Sequence, residues 1–395
     1  IKVDREERPD LDAIYMDAVQ AMTGQGGWPM TVFLTPQGEP FFGGTYYPKP
    51  NFLGLMEAIS NAWHHKRDDI QGNVTALLGA IGRSALIEPV AVLPGVELVD
   101  TALRQLASAH DAEWGGFGGA PKFPSTMNLD LLLRSYVASG DDTLAAIVTT
   151  SLDAMASGGM YDHLGGGFAR YSVDDRWLVP HFEKMLYDQA LLLRVYVHAW
   201  QVFGHERWRQ VATETVEYVL RDLCHPSGGF YSAEDADSPD EEGHGHEGLF
   251  YVWIPDHFRD LLGEDLATAA MEWYGVTEAG NFEGANILHR MHARGSFARP
   301  DHMEDARRRL LAARSGRARP GLDDKVLAEW NALFLASLAE AAAAMDRPDW
   351  LAAALLNGEF LLRHLRGADG RWHRSWQAEQ GAHHAALAAD HAALA

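Results

Sequence analysis

The densest group of side chains that could transfer protons lies in the run YDHLGGGFARYSVDDRWLVPHFEKMLYDQA, which begins at Tyr161. Its candidate catalytic residues are Asp162, His163, His181 and Glu183. A helix over 180–203 would have Pro180 in its first turn, and His181 and Glu183 would share that turn. A helix N-terminus favours a neutral imidazole, which is the form that a general base needs near pH 7. The alternative is structural, with Glu183 accepting hydrogen bonds from the free amides of the helix end.

A second group of carboxyl side chains lies in the acidic run SAEDADSPDEEGHGHEG at 232–248. Asp235 and Asp237 are candidate catalytic residues here, because a glycoside hydrolase needs two carboxyls at a set separation, one of them with a raised pKa. Asp162 could supply the second carboxyl of such a pair. We expect residues 238–247 to be a mobile acidic loop.

Neither a metal nor a cofactor is predicted. The acidic run is interrupted by Pro239 and lacks the glycine of an EF-hand calcium loop, and its two histidines do not have the spacing of a zinc site. The sequence also has no P-loop, no G-x-G-x-x-G after a strand and no G-x-S-x-G turn. Nucleotide-dependent chemistry and serine hydrolysis therefore have no support.

Aromatic side chains in glycine-rich loops could form flat surfaces for the apolar face of a sugar ring. Two of these loops are WGGFGGAPKF at 114–123 and HLGGGFARYS at 163–172. The substrate-contact candidates from these and the neighbouring segments are Trp114, Phe117, Phe168, Arg170, Tyr171, Trp177 and Tyr231. For any single ring, packing at the end of a core is the simpler explanation. As a set, the rings favour a pocket.

A third candidate group stands at the start of another predicted helix, in the run DDKVLAEWNAL at 323–333. Asp323 or Asp324 can cap this helix, and Lys325 begins it. Asp323 and Lys325 could contact a substrate at the same funnel as the aromatic loops. A purely structural role is the simpler explanation for both.

Helices must position these groups, because from Val96 onward the amphipathic helical pattern repeats without a convincing long strand. The predicted helices span about 96–110, 126–139, 142–157, 180–203, 206–224, 256–274, 301–315, 325–345 and 349–365, with a last one from about 384. Repeated hairpins cannot bury their apolar faces alone, so they must stack or close into a ring. The long aromatic loops favour a toroid of six hairpins over a flat solenoid, and ligand sites prefer the funnel of such a toroid.

The first part of the chain has a different, α/β pattern. Its predicted elements are a helix from Pro9, strands over 31–34 and 40–42 with a turn at Gln37–Gly38, and helix over 51–81. This order resembles the back part of a thioredoxin-like domain, and Pro29 matches the cis-proline that lines the thioredoxin active site. Thioredoxin chemistry needs a C-x-x-C pair, which the single cysteine, Cys224, cannot supply.

Length, charge and cysteine content limit the number of domains, the classes of binding partner and the cellular compartment. The 395 residues predict two domains, and prolines at 89 and 94 place the boundary between residues 1–85 and 96–395. The formal net charge of −22 opposes binding to nucleic acid or anionic membranes. No run of eighteen apolar residues could span a membrane, and one cysteine fits a reducing compartment, so we predict a cytoplasmic protein.

Long and rare sequence runs cover nearly the whole chain: KVDREERPDLD, GGWPMTVFLTP, GGTYYP, GGFGGAPKFP, the run from Tyr161 given above, GGFYSAEDADS, EGLFYVW and DDKVLAEWNAL. In these runs the chain resembles the family of thioredoxin-domain proteins typified by spermatogenesis-associated protein 20. The resemblance implies a thioredoxin-like domain followed by an (α/α)6 barrel similar to six-hairpin glycosidases and sugar 2-epimerases. It also implies that the chain is truncated at both ends, with the C-x-x-C segment upstream of Ile1. Asp390 matches a family position and is expected to approach the funnel.

Two hypotheses about function follow, and they leave open whether the chain is an enzyme. In the first, the barrel binds or processes a carbohydrate, either as an epimerase or isomerase that uses His181 and His163, or as a hydrolase that uses Asp162 with Asp235 or Asp237. In the second, the barrel docks a protein partner for a thioredoxin-like domain that acts on thiols. A funnel with convergent charged groups and exposed rings would favour the first.

Overall fold

The computed structural model describes residues 1–84 and 95–395, and the chain divides into two compact units after residue 94. The prolines at 89 and 94, on which the domain boundary was predicted, lie outside the described residues. Each unit has its own hydrophobic core, as expected of a domain. The predicted fold class, mainly helical with a small α/β part at the start, is confirmed.

The first unit packs three helices against one β-hairpin. Its elements are α1 (Pro9–Thr23), β1 (Thr31–Leu34), β2 (Pro40–Gly44), α2 (Lys49–His65) and α3 (Arg67–Ser84). The two strands pair antiparallel, and Phe41 is buried with Ile70 and Val74 of α3. The Trp28–Pro29 peptide bond, just before β1, is cis. The helix from Pro9 and both strands are confirmed, whereas the helical pattern over 51–81 is two helices that separate at Lys66.

The second unit is built from helical hairpins, as the alternation of amphipathic segments and loops predicted. Its helices are α4 (Val96–Ala109), α5 (Thr126–Ser139), α6 (Asp142–Ser157), α7 (Leu186–Phe203), α8 (Glu206–Asp222), α9 (Pro255–Leu262), α10 (Glu264–Tyr274), α11 (Asp301–Arg314), α12 (Ala328–Ala344), α13 (Pro348–His364) and α14 (Ala388–Leu394). A short 3-10 turn spans Met291–Ala293.

An inner row of helices carries the main core of this unit. Helix α7 packs along α12, with α5 against α7 and α14 against α12, while α6, α8 and α13 are the hairpin partners of α5, α7 and α12. Fully buried side chains of this core include Tyr196 on α7, Trp208 on α8 and Phe334 on α12. This arrangement is that of an (α/α)6-type domain, in which each hairpin has one inner and one outer helix.

Helices α9, α10 and α11 form a separate, smaller core. Trp253, Phe258 and Leu310 are buried in it, together with Leu164 from the loop after α6. The single helix predicted over 256–274 is wrong, because Gly263 ends α9 with a φ of +78° and α10 starts in a new direction. The loop after α6 is thereby fixed between the main core and this second one.

Short strands hold the segments that precede α7 and α12. They are β3 (Tyr171–Ser172), β4 (Pro180–His181), β5 (Lys184–Met185), β6 (Ala233–Glu234), β7 (Asp237–Pro239), β8 (Gly245–Glu247), β9 (Leu322–Asp323), β10 (Val326–Leu327), β11 (His373–Gln377) and β12 (Gly381–Ala385). Strands β5, β6 and β9 form one antiparallel sheet, β10, β11 and β12 form another, and β3–β4 and β7–β8 are two-stranded pairs. We call the end of the unit at which α7 and α12 begin the mouth.

Three sequence-based expectations about this region are wrong. Residues 180–185 are not helical, because Pro180 and His181 pair with β3 and the helix starts only at Leu186. Asp323 does not cap α12, since it lies in β9 and the helix starts at Ala328. The acidic segment over 238–247 is an ordered hairpin in which β7 pairs with β8. In all three cases pairing with another strand replaces the local preference, and for β9 the partner β6 is distant in the chain.

Among the helices of the described residues, none combines the length and the apolar character needed to cross a membrane.

The close approach of the loop after α6 to α8 can be tested at Gly166. Its φ is +78°, and a Cβ there would overlap the backbone carbonyl of Glu214. Gly118 has a φ of +73° but open space around it, so it serves as the matched control. We expect Gly166→Ala to lower the free energy of unfolding by about 2 kcal/mol more than Gly118→Ala, in chemical denaturation. Equal losses would contradict the close packing.

Candidate functional site

His181 lies at the mouth between two carboxylates and against an aromatic ring. The pairing of β3 with β4 stacks its imidazole on Tyr171, with ring centroids 5.0 Å apart. Its Nδ1 is 2.7 Å from Oε1 of Glu247, and its Nε2 is 3.6 Å from Oε2 of Glu183. The nearby carboxylate of Glu183 raises the pKa of His181, burial opposes this, and Glu247 raises it further. The expectation based on a helix N-terminus does not apply, because no helix begins here, and two acids favour the imidazolium.

Arg170 completes a charged chain with these groups. Its Nη1 is 2.9 Å from the same Oε2 of Glu183 that faces His181. Burial alone would raise the pKa of Glu183, but the hydrogen bonds from His181 and Arg170 outweigh burial and lower it. Glu183 is thus an ionised acceptor shared by one permanent cation and one titratable cation.

Asp188 in the first turn of α7 is a functional candidate that the sequence reasoning missed. Its side chain is buried, and its Oδ2 has no hydrogen-bond partner among the described residues. Burial raises the pKa of Asp188 well above its ordinary value, against the influence of Arg170, and the charge of Glu183 raises it further. Its environment therefore favours the neutral carboxylic acid over the carboxylate. The sequence did contain a signal for this candidate, because Asp188 is an acid on the mostly apolar, buried face of α7. We call Arg170, His181, Glu183, Asp188 and Glu247 the mouth cluster.

Aromatic rings flank the mouth cluster. Phe123 is half exposed and stacks on Tyr171, with ring centroids 4.8 Å apart. Because Tyr171 also stacks on His181, the three rings form one continuous stack. On the other side Tyr187 contacts Trp330 of α12, with ring centroids 4.9 Å apart. Of these rings, the sequence reasoning assigned only Tyr171 to substrate contact.

The other predicted ring contacts are more buried than a sugar-binding surface requires. Phe168 and Trp177 are fully buried, with Phe168 stacked on Tyr196 at 5.5 Å. Trp177 donates its indole N–H to the backbone carbonyl of Trp114 at 2.8 Å. Trp114, Phe117 and Tyr231 are partly buried at the edges of the cores. The structure therefore does not bring Phe168 or Trp177 to the surface of the mouth.

Asp162 lies in a buried ion cluster. Its carboxylate accepts both Nη groups of Arg314 at 2.8 and 2.7 Å and Nζ of Lys184 at 2.9 Å. Burial would raise its pKa, but the two cations hold the pKa of Asp162 well below its usual range. The three side chains are at most 7% exposed. This arrangement fits a structural anion better than a carboxyl that exchanges protons with a substrate.

His163, next in the chain, is also buried. Its Nε2 is 2.9 Å from the backbone carbonyl of Gly158, and burial lowers its pKa to about 3, so the imidazole is neutral. The cavity beside it has a volume of about 30 Å³ and is lined by Asp162, Lys184 and Arg314. A cavity of this size holds about one water molecule, and a sugar does not fit.

Asp235, between β6 and β7, and Asp237, the first residue of β7, are both exposed. Asp235 accepts the backbone N–H of Ala236 at 2.7 Å, and Asp237 pairs with Glu247 in the β7–β8 hairpin. The neighbouring Glu234 is buried instead. Its carboxylate accepts the hydroxyl of Tyr218 at 2.8 Å and a guanidinium nitrogen of Arg319 at 2.5 Å.

Asp323 and Lys325 form an ion pair, and Asp390 lies at a junction between two helices. Nζ of Lys325 is 2.8 Å from Oδ2 of Asp323. Asp390 is fully buried and accepts Nη1 of Arg374 at 2.9 Å and the backbone N–H of Glu329 at 3.2 Å. Asp390 thus ties α14 to the start of α12, so its contacts are those of a structural residue.

Comparison with known proteins adds the following. Residues 1–82 match the family described as Thioredox_DsbH, Protein of unknown function, DUF255. The chain is 39% identical to human spermatogenesis-associated protein 20 over 92% of its own length and 52% of that protein. It is 37% identical to the rat protein over 96% of its length and 54% of that protein. The resemblance inferred from the sequence runs is therefore confirmed, and the chain spans about half the length of these curated relatives.

Among solved structures, a sugar epimerase from a ruminal bacterium aligns with a TM-score of 0.33 and 12% identity, covering 73% of this chain and 92% of that one. An unsaturated glucuronyl hydrolase specific for heparin aligns with a TM-score of 0.36 and 10% identity, covering 92% of this chain and 70% of that one. Such distant likenesses say nothing about the activity of this chain.

The structural role of Asp162 predicts a large loss of stability when its charge is removed. Asp162→Asn leaves Arg314 and Lys184 buried without their anion, which costs about 3 kcal/mol or more of unfolding free energy. The exposed Asp235→Asn is the control, with a change within about 0.5 kcal/mol. Chemical denaturation at pH 7 measures both. A similar, small effect of the two substitutions would contradict the cluster.

The buried acid Asp188 predicts a pH-dependent gain in stability for Asp188→Asn. An acid whose folded pKa is raised stabilises the fold below its unfolded pKa of about 3.9, and this contribution is lost as the pH rises through the folded pKa. The amide cannot ionise, so we expect the variant's melting temperature to exceed that of the parent chain by about 2 °C or more at pH 8. At pH 4 the gain should vanish. An equal change at both pH values would contradict a neutral Asp188.

Proposed function

We propose that the helical unit binds a sugar or a related polyhydroxylated carbonyl compound at its mouth and moves a proton on it, in an epimerase- or isomerase-like reaction. The observation that carries the proposal is the mouth cluster itself: a part-exposed histidine between two carboxylates, beside a buried acid and a stack of two rings. Convergent polar groups at an aromatic surface are the usual features of a small-molecule site.

Proton transfer next to a carbonyl needs one group that accepts the proton and another that stabilises the charge on the carbonyl oxygen. His181 is 28% exposed and can take and return a proton through Nε2, with Glu183 and Glu247 supporting the imidazolium that forms. Burial favours the neutral form of Asp188, and in that form it can donate a hydrogen bond as a carboxylic acid does in other sites of this chemistry. Arg170 supplies a permanent positive charge next to both.

The rings give this site its apolar surface. Phe123 and Tyr171 extend from His181 toward solvent as a stack, and such a surface suits the apolar face of a sugar. Asp323 and Lys325 at the start of the α12 segment are proposed as further polar contacts. Among the sequence-derived alternatives, a hydrolase based on Asp162 is less supported, since its carboxylate is held by two cations.

A second candidate function, thiol chemistry on a protein partner, is favoured by one feature of the first unit. Trp28 is half exposed directly before the cis bond to Pro29, and an exposed ring at that place could contact an extended peptide. The match of residues 1–82 to a DsbH-like thioredoxin family agrees with this second candidate. We also propose a cytoplasmic location, in which a half-buried Cys224 would remain reduced.

Deuterium incorporation tests the proton transfer. The chain is incubated with a panel of aldoses and ketoses in D₂O, and exchange at the carbon next to the carbonyl is followed by mass spectrometry and NMR. We expect exchange with at least one sugar, a loss of about 10²-fold or more in His181→Gln, and no change in the control His244→Gln on the exposed hairpin tip. Because the base must be unprotonated and its pKa is raised, the rate should rise with pH through a midpoint above 6.5.

Two results would contradict this proposal. One is the absence of both exchange and saturable binding for every sugar of the panel. The other is exchange that survives in His181→Gln, because the proton would then move through another group. If no sugar binds but an oxidised dithiol peptide does, thiol chemistry becomes the better description.

A further inference from the structure

A separate groove lies between the β7–β8 hairpin and the start of α9. It has a volume of about 540 Å³, within the range of small-molecule pockets. Its apolar wall consists of Leu249, Val252, Trp253 and Ile254, and Leu249 and Ile254 are more than one-third exposed. We call it the α9 groove. None of the mouth-cluster residues lines it.

Arg317 gives this groove a positive charge that no described carboxylate neutralises. One guanidinium nitrogen, Nη1, donates to the backbone carbonyls of Phe250 at 2.9 Å and Val252 at 2.8 Å. The guanidinium lies over the Trp253 ring, 3.9 Å from its centroid. Burial lowers the pKa of Arg317 to about 10, and the charge of Arg314 lowers it further. The two carbonyls and the ring hold the guanidinium in place, and its remaining N–H donors are left for a ligand.

Trp253 supplies a second, independent observation. It is 1% exposed, it lines the groove, and its indole Nε1 has no hydrogen-bond partner among the described residues. A buried N–H without an acceptor costs free energy, which an oxygen atom of a bound molecule would recover. The groove thus places the Arg317 guanidinium next to an apolar wall that includes Trp253, whose buried indole N–H has no acceptor among the described residues.

The acids on the hairpin side of the groove set the direction in which a ligand would lie. Asp240 and Glu241 belong to the hairpin wall. The carboxylate of Asp240 already accepts the backbone N–H of His244 at 2.8 Å and faces Nε2 of His246 at 2.9 Å. A negative group would be repelled from this side and attracted to Arg317.

We propose that the α9 groove binds a small apolar carboxylic acid, with its hydrocarbon or aromatic part against Leu249, Val252 and Ile254 and its carboxylate on Arg317 and Trp253. An arginine binds a carboxylate through parallel N–H donors, and its planar, weakly hydrated guanidinium can stack on the ring beneath it at the same time. This site is distinct from the mouth cluster, and the inference does not depend on the proposed sugar chemistry.

Calorimetric titration with 4-phenylbutyrate tests the proposal on the full chain, and 4-phenylbutyramide is the uncharged comparison ligand. We expect saturable binding of the carboxylate and binding of the amide weaker by about tenfold or more, because a charge-assisted pair is lost. Trp253 fluorescence should change on binding. Equal affinities, or no saturable heat for the acid up to about 10 mM, would overturn the proposal.

Variants locate the binding. Arg317→Met should weaken binding of the acid by about tenfold or more, whereas Arg308→Met, an exposed arginine on α11 that pairs with Asp305, should not change it. Ile254→Glu provides a second variant at an exposed position, and it should abolish binding of the acid because it places a like charge in the groove. Circular dichroism melting confirms that each variant is folded. Unchanged binding in folded Arg317→Met or folded Ile254→Glu would place the acid elsewhere.

Discussion

The buried contact of Asp162 with Arg314 and Lys184 is the interaction on which the helical unit depends most. It joins three segments that are far apart in the chain: the loop after α6, the end of α11 and the strand that leads into α7. A buried anion with two cations is stable only when all partners are in place, so the three segments must be fixed together. The small cavities beside the cluster leave room for water but for little else.

The mouth cluster is a consequence of that fixed frame. The side chain of Lys184 points into the interior. Successive side chains of an extended backbone point in opposite directions, so Glu183 points the other way, toward Arg170 and His181. The β7–β8 hairpin then brings Glu247 to the second nitrogen of His181. A rigid buried layer thus supports a part-exposed layer with titratable groups, which is the order of rigidity that acid–base chemistry requires.

The same hairpin and the segment before α9 also border the α9 groove, so the two surface sites share one wall. Arg317 follows α11 by only a few residues, and Arg314 at its end belongs to the buried cluster. One short arginine-rich stretch therefore supplies both an interior structural cation and a groove-lining cation. Each guanidinium finds backbone or carboxylate oxygens inside the unit.

The sequence by itself determined the elements whose patterns are local. The helix from Pro9, the strands at 31–34, the main helical hairpins and the family resemblance all follow from periodicity, turn residues and long characteristic runs. It also pointed to His181 and Arg170 as candidate site residues in one run. Only the tertiary structure decided that Asp162 is paired in the interior, that Asp188 is buried with a raised pKa and that His181 lies in a strand between two acids. The physical reason is that charge state and burial depend on partners from distant segments, such as Arg314 for Asp162 and Glu247 for His181, and no local pattern records those contacts.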